Sequence, residues 1–186
     1  MSHTILTNRG RYFSFDAPED HDFPIGEIAH ALSNICRFTG HVREFYSVAQ
    51  HSVLVSQIVP YNLAMAGLMH DAVEAYVGDV ASPLKRMLPE YKAIENRVEA
   101  ALMKAHGLPF PLPPEIKMAD MRALITEKRD LMGGDKEYQE EAAGVRWPDF
   151  EPMTQRVVPM DPWSAYDLFM SRWLELKYNM NYSRPY

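Results

Sequence analysis

Four ionisable residues stand in apolar surroundings, and together they could hold a divalent metal ion. His51 lies in the middle of a predicted helix, 47–59, His70 and Asp71 are adjacent in an apolar run, and Asp120 lies within a later helix. Two imidazoles and two carboxylates suit Zn²⁺, Mn²⁺, Fe²⁺, Co²⁺ or Mg²⁺. A lone buried histidine is usually structural and a lone mid-helix aspartate usually faces solvent. Their joint occurrence favours a metal site.

The chain contains two His-Asp pairs, and their surroundings differ. His21-Asp22 follows an acidic segment beside a proline, so we predict a solvated loop pair there. His70-Asp71 lies inside a predicted apolar helix on which Glu74 follows His70 by one turn, on the same face. Ionisable residues on a packed face cost free energy unless they are ligated or hydrogen-bonded. The second pair therefore indicates the site.

The periodicity of apolar residues predicts the elements that must position these side chains. The predicted helices cover 25–38, 47–59, 62–77, 83–87, 91–106 and 114–131, with a last one from 161 to 178. Ser47 and Gln50 form a capping-box pattern at the start of the helix 47–59. Pro114 suits the first turn of the helix 114–131, and Gly133-Gly134 ends that helix. Residues 4–15 predict a short hairpin. The sequence predicts one all-α domain, 1–186, a bundle of about seven helices with a small N-terminal β ornament: arm 1–24, motif-bearing core 25–131 and C-terminal helix.

Composition narrows the class of protein. The chain has 186 residues, 47% of them apolar and 24% charged, which is typical of soluble globular proteins. A net charge of −6 without a basic cluster argues against nucleic acid as a partner. No apolar run is long enough to cross a bilayer, and a single cysteine fits a reducing compartment. We therefore expect a cytoplasmic protein (in the host cytoplasm, if a virus encodes it) that binds neither nucleic acid nor membrane.

The order of the candidate ligands resembles the signature of the HD-domain metal-dependent phosphohydrolases, and further motifs narrow the resemblance. The sequence is most similar to the branch containing 5′-deoxynucleotidases and phage-type dATP triphosphohydrolases. The matching motifs span residues 37–131, about half of the chain. They are Arg37-Phe38, Arg43 with Val48-Ala49-Gln50-His51, His70-Asp71-Ala72-Val73-Glu74, Gly78-Asp79, Pro83, Lys85 and Lys117-Met118-Ala119-Asp120. Phe38 stands where the monophosphatases tend to have tryptophan, and Gln50 where they often have glutamate.

The resemblance implies an HD-domain helical bundle in which the four candidate ligands bind one divalent cofactor ion. It further implies that Glu74 and Asp79 orient the attacking water or assist proton transfer. Lys85 and Lys117 would neutralise phosphate charge, with solvated lysines as the alternative. Arg37 would stack on or hydrogen-bond the nucleoside.

Phe38, the remaining member of the implied substrate site, would pack on base or sugar, although a core phenylalanine is the plainer interpretation. The implied function is hydrolysis of a deoxynucleotide, for which we favour dATP, cleaved to deoxyadenosine and triphosphate. Two alternatives stay open: a 5′-deoxynucleotidase that releases phosphate from deoxynucleoside monophosphates, and a non-catalytic HD module that senses a nucleotide.

Two features outside the motifs yield further expectations. The charged run 127–130 predicts a solvated helix face. Trp163, Tyr166, Met170 and Trp173 form one stripe on the last helix, which is typical of a core or a subunit interface. Because HD nucleotidases of this kind are usually oligomeric, the resemblance implies a homo-oligomer, from a dimer to a hexamer.

Overall fold

The computed structural model of the chain describes residues 2–132 and 151–182, and most of these residues are helical. The helices in chain order are α1 (Ile25–Asn34), α2 (Val48–Ile58), α3 (Ala64–Met69), α4 (Glu74–Val77), α5 (Ser82–Lys85), α6 (Pro89–Ala105), α7 (Pro114–Leu131) and α8 (Pro162–Tyr182). One-turn 3₁₀ helices cover Pro18–Asp20, Phe38–Gly40 and Tyr61–Leu63. Two strands, β1 (Thr4–Leu6) and β2 (Tyr12–Ser14), precede them. The expected fold, mainly helical with a small N-terminal β element, is confirmed at that level.

The N-terminal hairpin has the predicted position. β1 and β2 are antiparallel, and Ile5 pairs with Phe13. Gly10 has a φ of +71°, a conformation that glycine adopts without the steric penalty of a side chain. Phe13 is fully buried, so the hairpin contributes an aromatic ring to the core.

The first His-Asp pair is not solvated, so this prediction was wrong for its histidine. The His21 side chain is only 7% exposed, and its Nε2 lies 2.8 Å from Oε1 of Glu27. Its ring packs edge-on against those of Phe13, Phe23 and Tyr76. Phe13 comes from the hairpin, Tyr76 from α4 and Glu27 from α1, so parts of the chain that are separate in sequence bury His21, which a local sequence pattern does not reveal.

α1 is shorter than predicted and α2 begins as predicted. α1 ends at Asn34 because Ile35 is extended and accepts a hydrogen bond from the Val48 N–H (3.0 Å). The Ser47 hydroxyl caps α2 by accepting from the Gln50 N–H at 3.1 Å. The Gln50 side chain donates instead to the Val158 carbonyl (2.7 Å), so only half of a capping box is formed.

The helix predicted to carry the second His-Asp pair is interrupted at that pair. After α3 ends at Met69, the Ala72 N–H donates to the Met69 carbonyl and the Glu74 N–H donates to the Asp71 carbonyl, each at 3.0 Å. These i→i+3 bonds are those of a 3₁₀ helix, which winds more tightly than an α-helix. The expectation of one continuous α-helix through His70 was therefore wrong.

The last two helices start at prolines, as predicted. α7 begins at Pro114 and ends at Leu131. α8 begins at Pro162, where Oδ1 of Asp161 accepts from the N–H groups of Trp163 (2.9 Å) and Ser164 (3.1 Å). The predicted helix break at 133–134 lies outside the described residues.

α2 lies at the centre of the core, in contact with α1, α3, α7 and α8. The face that α8 buries is formed by Ala165, Phe169 and Leu176, whereas Trp163 is 73% exposed. The predicted stripe is therefore displaced: its other members, Tyr166, Met170 and Trp173, pack half-buried against the edge of the core. Among the described residues, no helix has both the length and the apolar character that crossing a membrane requires.

Candidate metal centre

The fold brings the four predicted metal ligands together although they come from distant parts of the chain. His51 extends from α2, Asp120 from α7, and His70 and Asp71 from the tight turns between α3 and α4. The Nε2 atoms of the two histidines are 3.3 Å apart, and Oδ1 of Asp120 is 3.3 Å from Nε2 of His51. Oδ2 of Asp71 lies 3.1 Å from Nε2 of His70 and 3.4 Å from that of His51. One atom each of His51, His70 and Asp120 falls within a group no wider than 4.8 Å.

The hydrogen bonds of both imidazoles leave their Nε2 atoms available to a metal. Nδ1 of His51 lies 2.6 Å from Oε1 of Glu127, and Nδ1 of His70 lies 2.9 Å from the Gly67 carbonyl oxygen. A carboxylate and a carbonyl only accept, so each Nδ1 donates, and in the neutral rings each Nε2 carries a lone pair. Two such lone pairs beside two carboxylates attract a proton or a metal ion to the space between them. The donor set therefore fits a divalent ion.

Because imidazoles and carboxylates lie close together in the cluster, the pKa of His51 is raised and the pKa values of the two aspartates are lowered. Burial and the charge of Arg37 lower the pKa of His51, but Glu127 and Asp120 outweigh them and raise it to about 9. Burial opposes ionisation of Asp71 and Asp120, yet the neighbouring imidazoles hold both carboxyl pKa values well below their ordinary range. The carboxylates are thus ionised and attract positive charge to the centre.

Glu127 is a central residue of the site that the sequence pattern did not identify. It was predicted to lie on a solvated face, but it is fully buried and accepts hydrogen bonds from His51, Tyr46 and Arg37. Its position could have been anticipated, because it follows Asp120 by about two helical turns and so lies on the same face of α7. Burial by itself would raise the pKa of Glu127, but the charges of Arg37 and His51 have the larger effect and lower the pKa to about 2.

The rest of the same run is not a solvated face either. Asp130 has a side chain only 2% exposed, and it accepts from Arg129 at 2.7 Å and from the Val157 N–H at 2.8 Å. Arg129 also donates to the Gln155 carbonyl (3.0 Å). Segment 153–157 packs over the end of α7 and covers residues that would otherwise face water, so the prediction for this run was wrong.

Arg37 is bound to the interior of the site. Its Nη2 lies 3.1 Å from Oε2 of Glu127, and its Nη1 lies 3.7 Å from Oδ2 of Asp71. The backbone N–H of Arg37 donates to the backbone carbonyl of Tyr46 at 2.9 Å. This bond holds the Arg37 backbone close to the start of α2. The carboxylates raise the guanidinium pKa above its ordinary value despite the opposing effect of burial. With 8% of its surface exposed, Arg37 has little freedom to stack on a nucleoside.

Phe38 lies half-buried in the one-turn 3₁₀ helix that follows Arg37. Its φ of +55° is uncommon for a residue with a side chain, and the next residue, Thr39, has a φ of +54°. The Arg37 guanidinium carbon is 5.3 Å from the centre of the Phe38 ring. Two successive residues in this conformation turn the chain sharply and present the ring at the surface next to the buried arginine. Its contact with a base or sugar stays a prediction.

The two acids with a predicted role in proton transfer have raised pKa values. Burial, followed by the charges of Asp71 and Asp79, raises the pKa of Glu74 well above its ordinary value. Burial and the charge of Asp71 likewise raise the pKa of Asp79. Oε2 of Glu74 is buried and has no hydrogen-bond partner among the described residues. Both groups therefore hold a proton more readily than an ordinary carboxyl.

The two lysines with a predicted role in phosphate binding are both paired with carboxylates. Nζ of Lys117 lies 2.8 Å from Oδ2 of Asp120, with its side chain 72% exposed. Nζ of Lys85 donates to the buried Glu95, which also accepts from Lys92 at 2.9 Å. Burial lowers the pKa of Lys85, but the contact with Glu95 raises it above its ordinary value. Neither lysine is an unpaired cation within the described part of the chain.

A separate cavity of about 170 Å³ lies beside α2, and none of the four candidate ligands lines it. Its walls come from α2, the segment 153–158 and α8, and include Gln50, Val53, Gln57 and Leu168. Side chains that could perform hydrolysis meet at the histidine–aspartate cluster and not in this cavity. We therefore assign the candidate site to the cluster.

The fold and the cluster together define a mainly helical protein in which two buried histidines converge with two partly exposed aspartates. No protein-family model matches the sequence. The chain is 45% identical over 176 residues to YfdR of Escherichia coli strain K12, which is described as an uncharacterized protein; the match covers 92% of this chain and 94% of YfdR. It is 34% identical over 120 residues to an uncharacterized protein of Rhodobacter capsulatus, with 59% of this chain and 61% of that protein covered. The chain therefore belongs to the same family as YfdR.

Proposed function

We propose that the protein is an HD-domain metal-dependent phosphohydrolase that cleaves a deoxynucleotide, with dATP as its preferred substrate and deoxyadenosine and triphosphate as products. The observation that carries the proposal is the convergence of the His51 and His70 Nε2 atoms with the carboxylates of Asp71 and Asp120. Both relatives are described only as uncharacterized, so the proposal rests on the site and on the motifs.

In this proposal His51, His70, Asp71 and Asp120 hold one divalent ion. The bound ion would polarise a phosphate oxygen and lower the pKa of a water molecule toward neutrality. The buried hydrogen bonds from the two Nδ1 atoms keep both imidazoles oriented, so that ligation requires little reorganisation. Arg37 compensates part of the negative charge by its contacts with Glu127 and Asp71.

Glu74 and Asp79 are the groups that move protons in this proposal. Oε2 of Glu74 has no partner among the described residues, so it is available to accept a proton from the attacking water. Because burial and the charges of Asp71 and Asp79 raise its pKa, the Glu74 carboxylate takes up a proton more readily than an ordinary carboxylate does. Asp79 lies close enough for its charge to raise the pKa of Glu74, and the two acids are proposed to share this task.

The preference for dATP rests on the motif resemblance, and the pairing of both lysines favours a second candidate. A surplus of free cations would support a triphosphate, but Lys117 is paired with Asp120 and Lys85 with Glu95. A single phosphate needs fewer positive groups beside a divalent ion. A 5′-deoxynucleotidase that releases phosphate from deoxynucleoside monophosphates is therefore the second candidate function.

The test is a product analysis on the full chain, stripped of metal with a chelator and reloaded with Mn²⁺, Co²⁺ or Zn²⁺. The substrates are dATP, ATP, dGTP, dCTP and dAMP, and the matched control is Glu74→Gln, which retains the proposed ligands. Deoxyadenosine with inorganic triphosphate supports the proposal. Orthophosphate from dAMP alone supports the second candidate. Nucleotide binding without turnover by any metal form would instead identify a sensing module.

A further inference from the structure

Glu127 is enclosed by donors on both of its oxygens. Oε1 accepts from Nδ1 of His51 (2.6 Å) and from the Tyr46 hydroxyl (2.9 Å). Oε2 accepts from Nε (3.2 Å) and Nη2 (3.1 Å) of Arg37. The residue is 0% exposed. A buried carboxylate with four hydrogen bonds has a single orientation, and that orientation is transmitted to its partners.

Two of these partners lead directly to the candidate metal centre. His51 presents its other nitrogen, Nε2, to the carboxylates of Asp71 and Asp120. Arg37 extends its second amino group to Oδ2 of Asp71 at 3.7 Å. The chain of contacts therefore runs from Asp71 through Arg37 and Glu127 to His51, and it links two candidate ligands behind the site.

We propose that Glu127 is the positioning residue of the metal centre. It holds the proton of His51 on Nδ1, which keeps the Nε2 lone pair directed at the ion, and it anchors Arg37 so that Asp71 is held in place. This role rests on the proposed metal site but not on the identity of the substrate. In this role Arg37 acts through its contacts with Glu127 and Asp71, while its contact with the nucleoside stays a prediction.

A merely structural role for Glu127 makes a different prediction. A buried ion pair with Arg37 would matter for the free energy of unfolding and not for the affinity of the centre for metal. Carboxylates that orient a ligating histidine typically change metal affinity by about 10–100-fold when they are replaced. Metal affinity therefore separates the two roles.

Tyr46 provides a matched control. Its hydroxyl donates to the same oxygen of Glu127, and no hydrogen bond in the described part of the chain joins its side chain to a candidate ligand. Tyr46→Phe removes one hydrogen bond from the carboxylate and leaves its charge and its bonds to His51 and Arg37. We expect Tyr46→Phe to bind metal within about threefold of the wild type, and Glu127→Gln to bind it about 10–100-fold more weakly.

The experiment titrates Co²⁺ or Zn²⁺ into the metal-free full chain by calorimetry, for the wild type, Glu127→Gln and Tyr46→Phe. The proposal is overturned if folded Glu127→Gln binds as tightly as the wild type, or if both variants lose affinity equally. Absence of any ion bound by the wild type would overturn the proposed metal site itself, and this inference with it.

A second measurement needs no variant at Glu127 and so remains decisive if Glu127→Gln does not fold. Nitrogen-15 spectra of the histidine rings in the Zn²⁺-loaded wild type report which ring nitrogen carries the proton, and His51→Gln identifies the His51 signals. We expect a proton on Nδ1 of His51 with a low-field resonance, typical of a short bond to a carboxylate. A proton on Nε2 would overturn the proposal.

Discussion

The Nε2 atoms of His51 and His70 lie 3.3 Å apart, although 19 positions separate the two residues in the chain. Their opposite ring nitrogens are both engaged, one by the Glu127 carboxylate and one by the Gly67 carbonyl. Two lone pairs at this distance repel each other unless a proton or a metal ion lies between them. The short distance between the two histidine nitrogens therefore explains why the centre attracts a proton or a metal ion.

Removing one candidate ligand should abolish stabilisation of the fold by metal. At about one hundred times its dissociation constant, Zn²⁺ or Mn²⁺ should raise the free energy of unfolding of the metal-free wild type by about 2.7 kcal/mol. His70→Ala should lose this gain because one of the two converging nitrogens is absent. His41→Ala, which changes an exposed histidine, should retain it. Urea unfolding measures the difference, and an equal gain in His70→Ala would mean that the ion binds elsewhere.

Glu74→Gln should retain the metal and the fold but lower turnover by about 10²–10⁴-fold. The amide fills the same space as the carboxyl but cannot take up the proton of the attacking water. Steady-state rates and metal content, measured on the same preparation, check both halves of the expectation. A rate equal to that of the wild type, with metal bound, would remove Glu74 from the mechanism.

Replacement of Lys117 should show whether the substrate is a nucleoside triphosphate or a nucleoside monophosphate. If the tail of dATP lies along Lys117, Lys117→Ala should raise the KM for dATP by about tenfold or more, since a bond between charged groups contributes about 1.5–3 kcal/mol. The KM for dAMP should change less. Initial rates over a range of concentrations give both values. Lys104→Ala, which alters an exposed lysine of α6, serves as the control. Equal KM changes for the two nucleotides would contradict a tail-binding role.

Protonation of Glu27 should make the protein less stable at acidic pH. Burial raises the pKa of Glu27, but interactions with neighbouring polar groups, among them the hydrogen bonds with His21 and Tyr76, outweigh burial and lower the pKa below its ordinary value. The stabilisation is therefore complete above the unfolded-state pKa, about 4.3, and is lost as the pH falls through the lower folded-state value. Glu27→Gln should be roughly 1–3 kcal/mol less stable at pH 7, and this gap should narrow below about pH 4.3. Urea unfolding at several pH values checks it, and a constant gap would contradict the assignment.

The protein should form at least a dimer. Trp163, Leu174 and Tyr178 remain 73%, 40% and 59% exposed on α8 and offer apolar surface to another copy. Light scattering at micromolar concentration should report a mass of at least twice 21.4 kDa. Trp163→Ser should shift the equilibrium toward smaller species if α8 forms the interface. A wild-type mass of about 21.4 kDa would contradict the expectation of an oligomer.

Local signals were sufficient to predict most helix starts and the candidate ligands. Ser47 caps α2 and Pro114 opens α7, because a cap and a first-turn proline act on their own neighbouring backbone. Three candidate ligands could be identified from the sequence: His51, His70 and Asp120. An ionisable residue in an apolar stretch of a helix costs free energy unless it is ligated or hydrogen-bonded, and the order of the motifs indicated metal ligation. These inferences need only the residues within a few turns.

The burial of Glu127 and His21 was decided by the tertiary structure alone. Each stands among charged or polar neighbours in the sequence, yet each is enclosed by elements that are remote along the chain: Glu127 by Arg37, Tyr46 and α2, and His21 by the hairpin and α4. The pairing of Lys85 with Glu95 likewise depends on packing, in this case of α5 against the next helix, α6. A sequence pattern gives the direction of a side chain relative to its own helix, whereas the energy of a charge depends on which groups the rest of the fold brings against it.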